Sequence, residues 1–276
     1  MPTATNMSDR SVESANLRAA DQATRSERLV KSAARVRDLG EVFTPAETVQ
    51  SMLDLLPVDI WASHPSSTFL EPACGDGNFL VAILDRKLDR IGTEWAAGVL
   101  AGGSGHDALQ FHALQALASI YAVDLSSENI EGGTPGHEVG ARERLITHLV
   151  SWYVTTADGR LSKTSPFMRA ARWIVDRNVQ VANMLEFNAD GTRSGRDEIP
   201  LVEYQWDPPN LSVRLFTTTL GAVMQAAAAD SDAALTLFGP PSPVEAWAGK
   251  ASRLMDAPIA AAASNVRHAR NGKRAG

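Results

Sequence analysis

The stretch FLEPACGDGNFL, residues 69–80, places an acidic residue and two glycines in one sharp turn between two apolar runs. The run before the turn, TFLE, has the character of a short buried strand. The run after it, NFLVAILDRKLDR, places Leu80, Leu84 and Leu88 on one face of a helix. A strand, a tight turn and a helix in this order predict the first unit of a parallel α/β sheet.

The rest of the chain repeats this alternation. IYAVDL, which contains Asp124, and VQVAN, residues 179–183, have the pattern of two further strands, and amphipathic helical runs lie before each of them. The Gly- and Ala-rich segment 91–105 is predicted to be mostly loop. We therefore expect an α/β fold with a mostly parallel sheet and flanking helices.

The two ends of the chain differ from this body. Residues 1–37 form a polar extension expected to be disordered or helical, with helical spacing over 26–39, and a single domain spans 38–235. Within the domain, LVEYQW-DPPN-LSVRLFTTTL predicts a β-hairpin near its C-terminal end. Residues 236–276 form an Ala-, Ser- and Pro-rich extension with a basic tail, which we expect to be largely disordered.

A helix is also predicted just before the first strand. In FTPAETVQSMLDLLP, Thr44 has the character of an N-cap, Pro45 of the first helical residue and Glu47 of the return partner in a capping box.

Composition and charge exclude several classes of protein. The single cysteine, Cys74, excludes an internal disulfide framework and is typical of a reducing cytoplasm, and we expect it to be a small buried residue. No apolar run is long enough for a membrane span, and the six histidines show no metal-ligand spacing. The polar N-terminal stretch has no apolar core, so we do not expect it to be a secretory signal. Residues 39–249 hold 13 basic and 26 acidic side chains, an unfavourable balance for a phosphate backbone.

The turn at 71–77 has the features of a ligand site. In parallel sheets, ligands bind beyond the carboxyl ends of the strands, and Glu71 and Asp124 both lie at such ends. Gly75 and Gly77 allow a ligand to approach the backbone closely, and an acid such as Asp124 can accept hydrogen bonds from ribose hydroxyls. The pattern predicts a nucleoside-like ligand, but Leu80 replaces the third glycine of a dinucleotide fingerprint and no Gly-Lys-Ser/Thr triplet follows.

Taken together, GEVFTP, FLEPACGDGNFL, IYAVDL and VANMLEF resemble the N6-adenine DNA methyltransferases of the gamma-like class, which include modification subunits of restriction systems. The resemblance covers roughly residues 38–190. It implies a Rossmann-like methyltransferase fold, S-adenosylmethionine as cofactor, and transfer of its methyl group to the exocyclic amine of adenine in DNA. It also implies cofactor contacts from eleven residues: Phe43, Thr44, Pro45, Glu71, Ala73, Gly75, Gly77, Asp124, Leu125, Asn183 and Met184.

The catalytic motif of that family, Asn/Asp-Pro-Pro followed by an aromatic, has one counterpart here. Asp207, Pro208 and Pro209 match it, but Asn210 stands where the aromatic that stacks on the flipped base would be. Two interpretations remain open: a working catalytic loop, or a plain hairpin turn in a cofactor-binding subunit or regulator that does not methylate by itself. We expect no second domain that could read DNA sequence, and the expected partners are therefore DNA and a separate specificity or restriction subunit.

Overall fold

The computed structural model describes residues 44–62, 67–134, 138–231 and 243–261. The chain divides into two compact units, Met1–Leu55 and Leu56–Gly276. Phe43, the N-terminal extension and the tail beyond residue 261 lie outside the described residues. The expectations for them therefore stay predictions.

In the first unit, helix α1 spans Ala46–Leu53 and buries Val49 and Leu53. The apolar spacing predicted this helix correctly. Its N-cap is Pro45 and no side chain caps it, so the capping box expected from Thr44 and Glu47 is wrong. Proline at this position fixes φ near its helical value but provides no side-chain acceptor.

The second unit contains both sheets. Its helices are α2 (Val58–Ala62), α3 (Asn78–Ala96), α4 (His106–Ala118), α5 (Ser127–Glu131), α6 (Ala141–Ala157), α7 (Pro166–Asn178) and α8 (Leu220–Ser231). Its strands are β1 (Phe69–Glu71), β2 (Ile120–Asp124), β3 (Val179–Val181), β4 (Pro200–Asp207), β5 (Ser212–Thr219) and β6 (Val244–Lys250). Short 3-10 helices span Arg196–Glu198, Pro208–Asn210 and Ala251–Asp256.

Strands β1, β2 and β3 form a parallel sheet in that order. All three were predicted from the sequence, and the sheet with its helices is an α/β arrangement compatible with a Rossmann-like fold. Helix α3 buries Leu80, Leu84 and Leu88 as its spacing predicted. It continues to Ala96 through the buried Ile91, so the first part of the segment expected to be loop is helical, because the apolar stripe extends one more turn.

Strands β4 and β5 form the predicted hairpin, with Asp207 paired to Ser212 next to the turn. Strand β6 then pairs antiparallel with β5 to complete a second three-stranded sheet. The expectation that 236–276 is largely disordered is therefore wrong for Val244–Lys250 and the following 3-10 helix. Strand β6 satisfies the outer backbone groups of β5, a tertiary contact that the composition of the segment does not reveal.

Buried polar groups attach the second sheet to one face of the parallel sheet. The Tyr121 hydroxyl donates to the Val202 carbonyl at 2.6 Å, and Gln180 Nε2 donates to the Pro200 carbonyl at 2.8 Å. Near the C-terminal ends of β2 and β3, Val123 packs with Ala182.

None of the helices in the described part of the chain combines the length and the apolar character that a membrane crossing requires.

Helix α3 carries one buried cation, Lys87, which is 3 % exposed. Its ammonium group donates to the Ser67 carbonyl at 2.7 Å and lies over the Phe69 ring. Burial lowers the pKa of Lys87 to about 8. The protonated side chain therefore destabilises the folded state relative to the unfolded state, in which lysine has its ordinary pKa.

Replacing this lysine should change how stability depends on pH. Between pH 8 and 10.5 the unfolded state binds more protons at Lys87 than the folded state, so the free energy of unfolding rises with pH. Relative to Lys87→Met, the wild type should gain up to about 3 kcal/mol across this window. Urea denaturation of both proteins at several pH values measures this difference, and parallel pH profiles would contradict it.

Candidate active site at the carboxyl edge of the parallel sheet

The turns that follow β1 and β2 lie side by side. The two strands are adjacent and parallel, with Glu71 paired to Ala122, so both chains leave the sheet at the same edge. The backbone N–H of Cys74 donates to the Val123 carbonyl at 3.0 Å, which extends the contact beyond the end of β1. The structure therefore brings the predicted glycine turn and the predicted strand-end acid together.

Asp124 is the centre of this arrangement. One carboxylate oxygen accepts the Gly75 backbone N–H at 2.8 Å. The other accepts the Ser126 backbone N–H at 2.8 Å and the Asn129 side-chain amide at 3.2 Å. A carboxylate offers about four acceptor positions, so about one remains for a ligand on this half-buried side chain.

Both glycines of the turn have positive φ, 55° at Gly75 and 94° at Gly77. A Cβ added at Gly77 would lie 3.1 Å from Ala141 Cβ, closer than side-chain carbons normally approach. Gly77 is therefore needed by the backbone conformation and by packing of the turn against α6. This requirement is independent of any ligand.

Arg144 on α6 supports the same turn. Its Nη1 lies 2.7 Å from the Asp76 carboxylate and donates to the Asp76 carbonyl at 2.7 Å, while Nη2 donates to Asn78 Oδ1 at 2.8 Å. Arg144 thus balances the charge of Asp76 and holds the turn at the start of α3. Sequence reasoning missed this residue, because nothing in the pattern relates it to a turn 68 residues earlier.

Three further groups lie at this edge: Glu71, Leu125 and the N-terminus of α3. They differ in exposure and in the hydrogen bonds they already make. Glu71 is half-buried, and its carboxylate accepts the Ala73 backbone N–H at 3.1 Å, so that N–H is already used within the turn. Leu125, directly after Asp124, is 46 % exposed although it is large and apolar. Among the described residues, no side chain caps the N-terminus of α3 at Gly77. An acid, an apolar side chain and a helix N-terminus without a side-chain cap thus lie together there.

Cys74 is buried, as predicted, and is not suited to nucleophilic chemistry. Burial, and then the carboxylates of Asp124 and Glu71, raise the pKa of the Cys74 thiol well above its usual range. The thiol is therefore protonated at neutral pH, and only the thiolate is an effective nucleophile.

Two predicted cofactor residues after β3 are engaged in local contacts. Asn183 accepts the Leu185 backbone N–H at 2.9 Å and donates to Asn188 Oδ1 at 3.0 Å. Met184 packs against the cluster that contains Val123 and Ala182. The structure thus gives Asn183 and Met184 a role in organising the loop after β3.

Thr44 and Pro45 lie in the first unit, at the start of α1, and Phe43 lies outside the described residues. The role predicted for these three residues stays a prediction.

The expected catalytic residues lie far from this edge. Strand β4 begins beside the carboxyl edge, where Ile199 packs with Val123. It then passes Tyr121 at Val202 and reaches Phe111 of α4 at Trp206. An eight-residue strand spans about 25 Å, so β4 carries Asp207 roughly that far from the carboxyl edge at which the strand begins.

One oxygen of the Asp207 carboxylate, Oδ2, is also engaged by its own turn. It accepts the Asn210 side-chain amide at 2.8 Å and the Ser212 hydroxyl at 3.4 Å. The catalytic assignment of Asp207, Pro208 and Pro209 is thus not supported, because β4 carries them away from the candidate cofactor turn. The geometry favours the hairpin-turn interpretation.

Comparisons with known proteins found no relative of this chain. No family model matches the chain, and neither the curated proteins nor the solved structures gave a match.

The packing at Gly77 can be separated from its backbone conformation by a matched pair of substitutions. Gly98 also has positive φ, 70°, but a Cβ there would meet no atom within 4 Å. Gly98→Ala should lower the free energy of unfolding by about 1 kcal/mol, and Gly77→Ala by about 2–4 kcal/mol because of its contact with Ala141. Urea denaturation measures both, and equal losses would show that the contact is unimportant.

Proposed function

We propose that this chain is a methyltransferase-like protein that binds S-adenosylmethionine at the carboxyl edge of its parallel sheet and acts as a subunit or regulator, without transferring the methyl group by itself. The observation that carries the proposal is the hydrogen bond between Gly75 and Asp124, with Leu125 exposed beside it. This bond joins the turns after β1 and β2 into one surface, which we call the ledge and which contains Gly75, Asp124 and Leu125. The ledge lies at the position where α/β folds bind nucleosides.

The groups at this edge fit the parts of the cofactor. Glu71 has acceptor positions beyond its bond to Ala73 and could accept hydrogen bonds from the ammonium group of the methionine moiety. Asp124 keeps about one acceptor position for a ribose hydroxyl, and Leu125 offers an apolar surface to the adenine ring. The uncapped N-terminus of α3 favours the carboxylate of the methionine moiety. When bound, the cofactor would supply an electrophilic methyl group.

Binding by this edge has a direct test. Asp124→Ala should weaken S-adenosylmethionine binding by about 1.5–3 kcal/mol, or roughly 10- to 150-fold, through loss of a charge-assisted hydrogen bond. Leu125→Ala should cost about 1 kcal/mol, roughly five-fold, by removing apolar contact. Isothermal titration calorimetry measures both affinities.

Two controls make the titration interpretable. Asp124 also supports the turn, so denaturation curves must show how much stability that variant loses. Val99→Ala removes a 67 % exposed apolar side chain in the loop after α3 and should leave the affinity unchanged. Wild-type affinity in both Asp124→Ala and Leu125→Ala would remove this edge from consideration as the cofactor site.

The runner-up function is methyl transfer to the N6 amine of adenine in DNA by this chain. It is favoured by the Asp-Pro-Pro sequence at 207–209, which matches the start of the family motif. The length and direction of β4 argue against it, as does the missing aromatic after Pro209. A base-stacking aromatic is worth about 1–3 kcal/mol per base, so its loss would also weaken capture of a flipped adenine.

A separate subunit for DNA recognition belongs to the same proposal. Several described arginines of the acidic body are already paired with carboxylates, Arg172 with Glu143 at 2.9 Å and Arg214 with Glu245 at 2.6 Å. Phosphate contacts by these side chains would have to compete with the pairs. We therefore assign sequence recognition in DNA to a specificity or restriction subunit.

The purified chain should show no methyl transfer. We expect labelled S-adenosylmethionine to bind but to give no labelled adenine in duplex DNA, with Asp207→Ala indistinguishable from wild type. The calorimetric titration on the same preparation excludes inactive protein as the cause. Methyl transfer that is rapid in wild type and lost in Asp207→Ala would establish the runner-up function.

A further inference from the structure

A second concave site lies between the two sheets of the second unit. It is a cavity of about 590 Å³, a volume typical of small-molecule sites. One wall is formed by β1 and the start of β2, the other by β4 and α8, and α4 closes one side. The lining side chains used below are Leu70, Gln115, Tyr121, Glu203, Tyr204 and Trp206. Neither Asp124 nor any residue of the glycine turn lines this cavity.

The walls are largely apolar and aromatic. Leu70 pairs with Tyr121 in the sheet register, so both side chains project from the same face, towards the cavity they line. Leu70 is 45 % exposed, an unusual state for a leucine in a sheet covered by another layer. On the opposite wall Tyr204 and Trp206 stack with ring centroids 5.7 Å apart and an interplanar angle of 11°. These surfaces suit a planar apolar group.

The polar groups of the cavity are mainly hydrogen-bond acceptors. The Glu203 carboxylate receives no hydrogen bond and forms no ion pair with any residue that the structure describes. Gln115 also lines the cavity, but its Oε1 is shielded from solvent and is therefore closed to a ligand donor. The Tyr121 hydroxyl already donates its proton to the Val202 carbonyl, so its oxygen can only accept from a ligand.

The Glu203 carboxylate acts electrostatically on Tyr121, another residue that lines the cavity. Burial, and then the Glu203 carboxylate, raise the pKa of Tyr121, so the phenol is neutral and the cavity has one negative charge. An anionic ligand would be repelled, and a hydrocarbon would remove water from Glu203 without replacing its hydrogen bonds.

We propose that this cavity binds a small aromatic amine in its cationic form, with the ring against Trp206 and Leu70 and the ammonium group directed to Glu203. An ammonium group offers the Glu203 carboxylate charge-assisted hydrogen bonds, and the aromatic walls hold the ring. This site is separate from the proposed cofactor site and does not depend on it.

Tryptamine and tryptophol are a matched pair of probes for this proposal. They share the indole ring and chain length, but tryptophol has a neutral hydroxyl in place of the ammonium group. In isothermal titration calorimetry at neutral pH, tryptamine should bind with one-to-one stoichiometry and at least about ten-fold more tightly than tryptophol. Equal affinities, or no saturable binding at about 1 mM tryptamine, would overturn the proposal.

Variants locate the binding site. Glu203→Gln should weaken tryptamine binding at least about ten-fold and leave tryptophol binding unchanged. Glu198→Gln is the control, since Glu198 is an exposed carboxylate outside the cavity lining. An unchanged tryptamine affinity in Glu203→Gln, or an equal loss in the control, would remove Glu203 from the site.

A third variant tests the site independently, in case Glu203→Gln does not fold. Leu70→Phe adds volume inside the cavity at a partly exposed position, so it should keep the wild-type melting temperature and still weaken tryptamine binding several-fold. Full tryptamine affinity in a folded Leu70→Phe protein would show that binding occurs elsewhere.

Discussion

Hydrogen bonds from buried polar side chains determine where the antiparallel sheet lies on the parallel sheet. Tyr121 and Gln180 each bond to a carbonyl of β4, and the Tyr204 hydroxyl donates to Asn178 Oδ1 at 2.9 Å. A shift of β4 by one residue would break these bonds and leave buried polar atoms without partners, which costs more than the bonds contribute. The register of β4 in turn fixes its direction, and its direction carries the Asp-Pro-Pro turn away from the glycine turn. The functional interpretation of this chain thus depends on contacts remote from both turns.

Asp124 shows how structural and binding roles compete for one side chain. Its three hydrogen bonds to the protein hold the ledge in shape before any ligand arrives, which reduces the ordering cost of binding. The same bonds leave few acceptor positions for a ribose. A rigid ledge with limited hydrogen-bonding capacity suits a ligand held by many modest contacts, including apolar contact with Leu125, better than one held by a single strong bond.

The local pattern predicted most of the elements. The spacing of Leu80, Leu84 and Leu88 predicted α3, and the β-rich runs predicted β1 to β3 and the β4–β5 hairpin, because each depends on neighbours in sequence. What could not be predicted involves contacts across long separations. Arg144 supports the turn at Asp76, and β6 joins β5 across more than twenty residues. Likewise, the sequence placed Asp207 in a turn but could not indicate which end of the molecule that turn occupies.

Strand β2 is the central strand of the parallel sheet and is fastened at both ends. At its start, the Asn178 amide donates to the Ala118 carbonyl at 2.9 Å and lies 3.3 Å from the Ile120 carbonyl. At its end, Asp124 binds the turn that follows β1. The outer side of β1, in contrast, has no neighbouring strand among the described residues. The sheet should therefore come apart in a fixed order: amide protons of β2 exchange with solvent only when the whole unit unfolds, whereas the margin of β1 opens by local fluctuations that leave the rest of the fold intact.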